Sequence, residues 1–186
     1  MTEETDIIVE NAIIEQSGKE DAINLKILLD KRDAILLSEA AQYASVPGIR
    51  CLLDRLSPDF PNANQIVLEY SAMAGNFKVF DYMIENCQDL DLGVNLRYYA
   101  ISGGVEIWKI LLKIRPELLD EPIGHFGDPL ALSVHKENNE LVVYLLKQGA
   151  DAKDSNLSGI SALRLARKNQ GITADTLRLL ESYVAD

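Results

Sequence analysis

The two histidines of the chain, His125 and His135, stand close in sequence, with Asp128 between them and Arg97 and Tyr98 upstream. Two imidazoles, a carboxylate, a phenol and a guanidinium are groups that acid–base catalysis uses, since imidazole gives or takes a proton near neutral pH. Such a set would suit cofactor-free chemistry of the isomerase or cyclase type. It would need a deep pocket, on the order of several hundred Å³, lined by Tyr and aliphatic side chains. A histidine pair is also part of a metal site, but no third ligand follows at a recognisable spacing, so no metal is expected. The chain has no G-x-S-x-G, no H-E-x-x-H, no C-x-x-C and no phosphate-binding glycine loop. The glycine pair in "SGGVE", residues 102–106, reads as a turn between helices. No catalytic residue is favoured, and no cofactor is expected.

The elements that carry these groups are helical. The chain has 186 residues, 47% hydrophobic and 25% charged, enough for one globular domain with a substantial core. Leu and Ala dominate and aromatics are 6%, which suits helices better than sheets. The net charge of −11 disfavours nucleic acid and anionic membranes as partners. Acidic residues crowd residues 1–24, while bases gather after Leu145, at Lys147, Lys153, Arg164, Arg167, Lys168 and Arg178. Solvated helix faces account for most of these bases, and a local basic patch is the alternative. No secretory pattern opens the chain and no apolar run approaches the roughly 18 residues of a membrane span. Two cysteines make no disulfide framework, and Cys51, beside Leu52 and Leu53, is expected to be a buried free thiol. A soluble, intracellular, cytoplasmic setting is the default expectation.

The chain repeats. Paired aliphatics close helical patterns at Leu28-Leu29, Leu52-Leu53, Met83-Ile84, Leu111-Leu112, Leu145-Leu146 and Leu179-Leu180, with spacings of 24, 31, 28, 34 and 34 residues. A recurrence of that length marks stacked helix pairs. A single aliphatic precedes each later pair, at Leu37, Leu68, Leu96, Leu130 and Leu163, followed by small residues such as Ala40-Ala41, Ser71-Ala72 and Ser133-Val134. Gly75 and Gly103 stand where a first helix must stop. Trp108, on a second helix, is expected in the core.

The segment "GDPLALSVHKENNELVVYLLKQGADAK", residues 127–153, resembles an ankyrin repeat through Pro129, Leu130, Leu145, Leu146, Gly149, Ala150 and Asp151. The next unit keeps Gly159, Leu163 and Ala166, with Ser161 and Ala162 where the family has Thr and Pro. The best matches lie in residues 124–183, and no unit has an intact T-P-L-H. The resemblance implies an all-α solenoid of stacked antiparallel helix pairs, about six units including caps. Residues 1–186 then form one domain: an N-terminal capping helix pair at 1–32 and degenerate repeats over 33–183. The weakened polar pattern implies irregular stacking or shortened hairpin loops, with one loop truncated before the third unit.

The resemblance also implies a concave face built from first helices and loops, on which such proteins bind other proteins. Its register selects Gln42, Tyr43, Met73, Ala74, Ile101, Ser102, His135, Lys136, Lys168 and Asn169 on first helices, and Gln65, Asp91, His125 and Asp128 on loops. Tyr43, Tyr70, Tyr98 and Tyr99 fall on the concave side. Two functions follow: a protein-interaction module without cofactor, or a small-molecule site using His125 and His135. The identity of the partner and the oligomeric state are not encoded in these patterns.

Overall fold

The computed structural model describes residues 32–56, 60, 62–153 and 161–185. The expected N-terminal capping pair, with Leu28 and Leu29, and the loop position Gly159 lie outside these residues. Among the described residues the regular elements are helices. None of them is long and apolar enough to cross a membrane.

The chain begins with helix α1 at residues 32–43. Then come α2 (Val46–Arg55), α3 (Ala63–Ala74), α4 (Phe77–Asn86), α5 (Val94–Gly103) and α6 (Val105–Ile114). Two 3₁₀ turns, Pro116–Leu119 and Gly124–Phe126, lead into α7 (Pro129–His135). The last helices are α8 (Asn139–Gln148), α9 (Ala162–Ala166) and α10 (Ala174–Ala185).

Local chemistry sets these boundaries. Asp128 and Ser161 accept from the backbone N–H of Ala131 and Arg164, capping α7 and α9. Pro129 follows at the first position of α7, where its missing N–H costs nothing. Gly75 and Gly149 end α3 and α8 in the left-handed conformation, at φ 71° and 99°. The stop expected at Gly103 falls one residue later, at Gly104 with φ 83°.

The helices pack in two rows. α3, α5, α7 and α9 each pack against the next in one row, and α2, α4, α6, α8 and α10 do the same in the other. Across the rows α3 joins α4, α5 joins α6, α7 joins α8 and α9 joins α10. One continuous core runs between the rows from Leu37 to Leu180. Leu37, Leu68, Leu96, Leu130 and Leu163 all lie in it, as do Met83, Leu111, Leu145, Leu146 and Leu180. Each large side chain buried there contributes roughly 1.5–3 kcal/mol of transfer free energy. Trp108 is fully buried, although its indole N–H has no hydrogen-bond partner among the described residues. Ser71 and Ser133 are buried without penalty because their hydroxyls donate to Leu68 O and Pro129 O within their own helices.

Neighbouring pairs are tied at one recurring point, which sequence reading missed. Asn76 donates to Ala41 O and Ala44 O at the end of α1. Asn138 donates to Ile101 O in α5, and Asn169 donates to Val134 O in α7. At the turn after α5 no Asn stands in this position. Gly103 instead lies directly against Ala72 O, so close that a Cβ would overlap it. The residue at each of these helix–helix turns thus meets a carbonyl of the preceding first-row helix.

Cys51 corrects an expectation: it is exposed, while Cys87 is half-buried and both thiols are free. Ile49 is buried on α2 and Cys51 projects from the other side of the helix.

Candidate functional site

A row of aromatic rings crosses the first-row helices. Tyr70 on α3 stacks on Tyr99 on α5, centroids 6.2 Å apart. Tyr99 meets Tyr98 edge-on at 6.0 Å, and Tyr98 packs on Phe126 of the second 3₁₀ turn at 5.1 Å. His125 closes the row, 4.0 Å from the Phe126 ring. Consecutive residues on a helix diverge by about 100°. Tyr99 therefore reaches back to α3 while Tyr98 reaches forward to the turn and α7. The tyrosines and Phe126 are half-buried, and Tyr70, Tyr98 and Phe126 pack one side against the core.

Lys136, just past the end of α7, donates to Tyr98 Oη at 2.8 Å, and its Nζ lies 4.8 Å from the ring centroid. An ammonium so near the hydroxyl stands towards the ring's edge, so the hydrogen bond is the stronger of the two contacts.

The two histidines border the same depression. His125 and His135 line one depression of about 160 Å³ with Phe126, Ala131, Leu132 and Leu165. A second depression of about 250 Å³ continues from it and shares His135 and Leu165, adding Lys168, Asn169 and Gln170. The first is far smaller than the pocket expected for acid–base chemistry, and no tyrosine lines it. Metabolite-sized sites run to about 300–1,000 Å³.

The other members of the proposed acid–base set are engaged elsewhere. Arg97 is buried, and its guanidinium donates to Glu121 O, Glu121 Oε1 and Gly93 O. Burial pushes its pKa down and the Glu121 charge pushes it back up. A guanidinium starts so high that it stays protonated. The group pins the segment before α7 to α5. Asp128 is buried and caps α7 through Ala131 N. Tyr98 receives Lys136. Among the described residues no three His, Cys, Asp or Glu side chains converge as a metal-binding group.

The expected partner-binding residues divide by environment. Tyr43, Ala74, Ser102, His125, His135, Lys136 and Lys168 are exposed, Tyr43 at 85%. Met73 is half-buried, and so is Gln42, whose amide bonds Ser38 O in its own helix. Ile101 is fully buried in the core and presents no side chain to a partner. Asn169 is occupied with Val134 O. Gln65 and Asp91 are held by each other: the Gln65 amide donates to Asp91 O and accepts from Asp91 N, both at 3.0 Å. That pairing fastens the loop before α5 onto α3. Phe126 and Leu165 belong to the face and were not singled out from sequence. Phe126 could have been found as the apolar neighbour of His125, but Leu165 carries no such signal.

Compared with models of known protein families and with curated proteins, the chain matches none.

Proposed function

We propose that this chain is a protein-interaction module of the ankyrin-repeat kind, a solenoid of stacked helix pairs that docks a partner protein on its first-row face. The observation that carries the reading is the aromatic row from Tyr70 through Tyr99, Tyr98 and Phe126 to His125. Tyr and Trp are enriched among the residues that dominate protein interfaces, and they bury a large area with few torsions to freeze. Here the rings are held in place by one another and by Lys136, so little ordering cost remains to be met on binding.

Two further observations support it. The helices pack as two rows of successive pairs, the arrangement in which no pair can bury its apolar face alone. The recurring contact of Asn76, Gly103, Asn138 and Asn169 with the preceding unit is what repetition of one structural element produces. Against the small-molecule reading stands the structural engagement of Arg97 and Asp128.

The test is affinity capture with the full chain and with Tyr98→Ser in parallel, followed by titration of the recovered protein in purified form. The expected result is a partner bound by the native chain and released at least tenfold by Tyr98→Ser, with the circular dichroism melt of the variant still cooperative. A partner that binds both forms equally removes the aromatic row from the interface and the reading with it.

A further inference from the structure

Resting on the interaction reading, we propose that the trough between α7 and α9 takes an acidic segment of the partner protein, one with a large aliphatic side chain beside an Asp or Glu. The two depressions that share His135 and Leu165 form one trough. Ala131, Leu132 and Leu165 give it an apolar floor at the end near His125, where the depression of about 160 Å³ has room for a single side chain. Its rim carries His125, His135 and Lys168. Lys168 has an ammonium, and each imidazole offers at least one N–H whichever form it takes.

Charge selects the occupant. The whole chain carries −11, yet among the described residues lining either depression there is no carboxylate. The depression beside the α2–α3 junction is the reverse, with Asp54 and Asp89 and no base among its described lining residues. Lys136 stands exposed next to His135 and extends the basic rim towards Tyr98. Arg167 is not part of it, because its guanidinium is paired with Glu181 at 2.9 Å. A carboxylate does stand just past the far end, where Glu137 packs against Gly171, outside the lining. At physiological ionic strength the Debye length is about 8 Å. A carboxylate seated in the trough therefore feels Lys168 and the imidazoles, while the acidic remainder of the chain is screened. Docked next to an aliphatic anchor, it gains a charge-assisted hydrogen bond at a partly desolvated site. A basic segment would meet the same rim as repulsion.

The experiment is selection of a random peptide display library on the immobilised full chain at physiological ionic strength. Recovered peptides are then synthesised and titrated by fluorescence anisotropy against the native chain and against Lys168→Glu, His135→Ser and Tyr98→Ser. Lys168 is exposed, so Lys168→Glu is expected to stay folded, and His135→Ser serves as the second reading of the same rim. The expected result is enrichment of Asp or Glu beside Leu, Ile or Met, with affinity falling at least tenfold in Lys168→Glu. Affinity should fall as well when the peptide's acid is exchanged for its amide. Enriched peptides without an acidic residue that are released by Tyr98→Ser overturn this proposal and leave the interaction reading standing. Peptides that none of the variants releases, or a selection with no enrichment, overturn both.

Discussion

Asn138 and Ile101 lie 37 residues apart in sequence and are joined by one hydrogen bond, from Asn138 Nδ2 to Ile101 O at 2.9 Å. The same side chain works in two directions, since its Oδ1 accepts from Leu141 N at 3.1 Å and caps α8. One amide thus starts a helix and fastens it to the preceding pair. The two roles need opposite ends of the amide, which makes them separable by substitution.

Asn138→Asp keeps the capping acceptor, and Asp caps helices as well as Asn does. It replaces the donor to Ile101 O with a carboxylate oxygen, setting acceptor against acceptor in a half-buried site. We expect Asn138→Asp to cost at least as much as Asn138→Ala, about 1–3 kcal/mol in either case. Urea unfolding followed by circular dichroism measures it. An Asp variant within about 0.5 kcal/mol of the native chain would show that the cap alone matters.

Gly103 and Gly149 are both glycines at helix ends, and for different reasons. Gly103 has backbone against its missing Cβ, with Ala72 O inside contact distance. Gly149 has open space around it but a φ of 99°. Gly103→Ala must push α3 and α5 apart, at a cost of about 3 kcal/mol or more. Gly149→Ala meets only the conformational penalty, roughly 1–2 kcal/mol. Thermal melts of the two variants should separate clearly. Equal losses would mean that α3 and α5 part without resistance.

How much of this was legible beforehand depended on what each residue's signal was. The anchors Leu68, Leu96, Leu130 and Leu145 and the core position of Trp108 announce themselves, because burial imposes a periodicity that aliphatic residues reveal. Cys51 was misplaced because adjacency to Leu52 and Leu53 along the chain is not adjacency on a helix. Ile49, Leu52 and Leu53 share one face of α2, and Cys51 turns away from it. Ile101 fails for the same reason in reverse: it lies one turn after Arg97 on the buried stripe of α5. The Asn76, Asn138 and Asn169 contacts were silent, since an Asn that reaches a distant carbonyl reads in sequence like any turn Asn. That His125 and His135 border one depression was legible because they flank the start and end of one short helix, α7. The engagement of Arg97 with Glu121 was not, since it depends on the path of the two 3₁₀ turns.

Tyr98 sits between Phe126 and Lys136, and its two contacts have different weights. Lys136→Ala removes one exposed partner, and the stability change should stay within roughly 0.5–1 kcal/mol. Tyr98→Ala removes a half-buried ring from Phe126 and Tyr99 as well, which should raise the cost to about 2–4 kcal/mol. The double variant should resemble Tyr98→Ala alone, because Lys136 has then nothing left to hold. Chemical denaturation of the three variants closes the cycle. Strict additivity would mean that the Lys136–Tyr98 bond contributes nothing to the folded state.

The thiols offer a readout of the helix faces without any loss of stability. Cys51 is exposed and Cys87 is half-buried, with burial pushing the Cys87 thiol above its ordinary pKa. The thiolate is the species that reacts, so a raised pKa leaves Cys87 protonated to higher pH. Both effects act in the same direction, restricted access and a smaller thiolate fraction. A disulfide reagent at pH 7.5 should therefore label Cys51 at least about tenfold faster than Cys87. Raising the pH should speed Cys87, with its onset displaced upward from that of a free thiol. Cys51→Ser should delete the fast phase and Cys87→Ser the slow one. In denaturant the two rates should converge, because the difference belongs to the fold. A single fast phase accounting for both thiols in the native chain would contradict the packing of α4 against α2 and α6, whose contacts hold Cys87 beside Met83 at the end of α4.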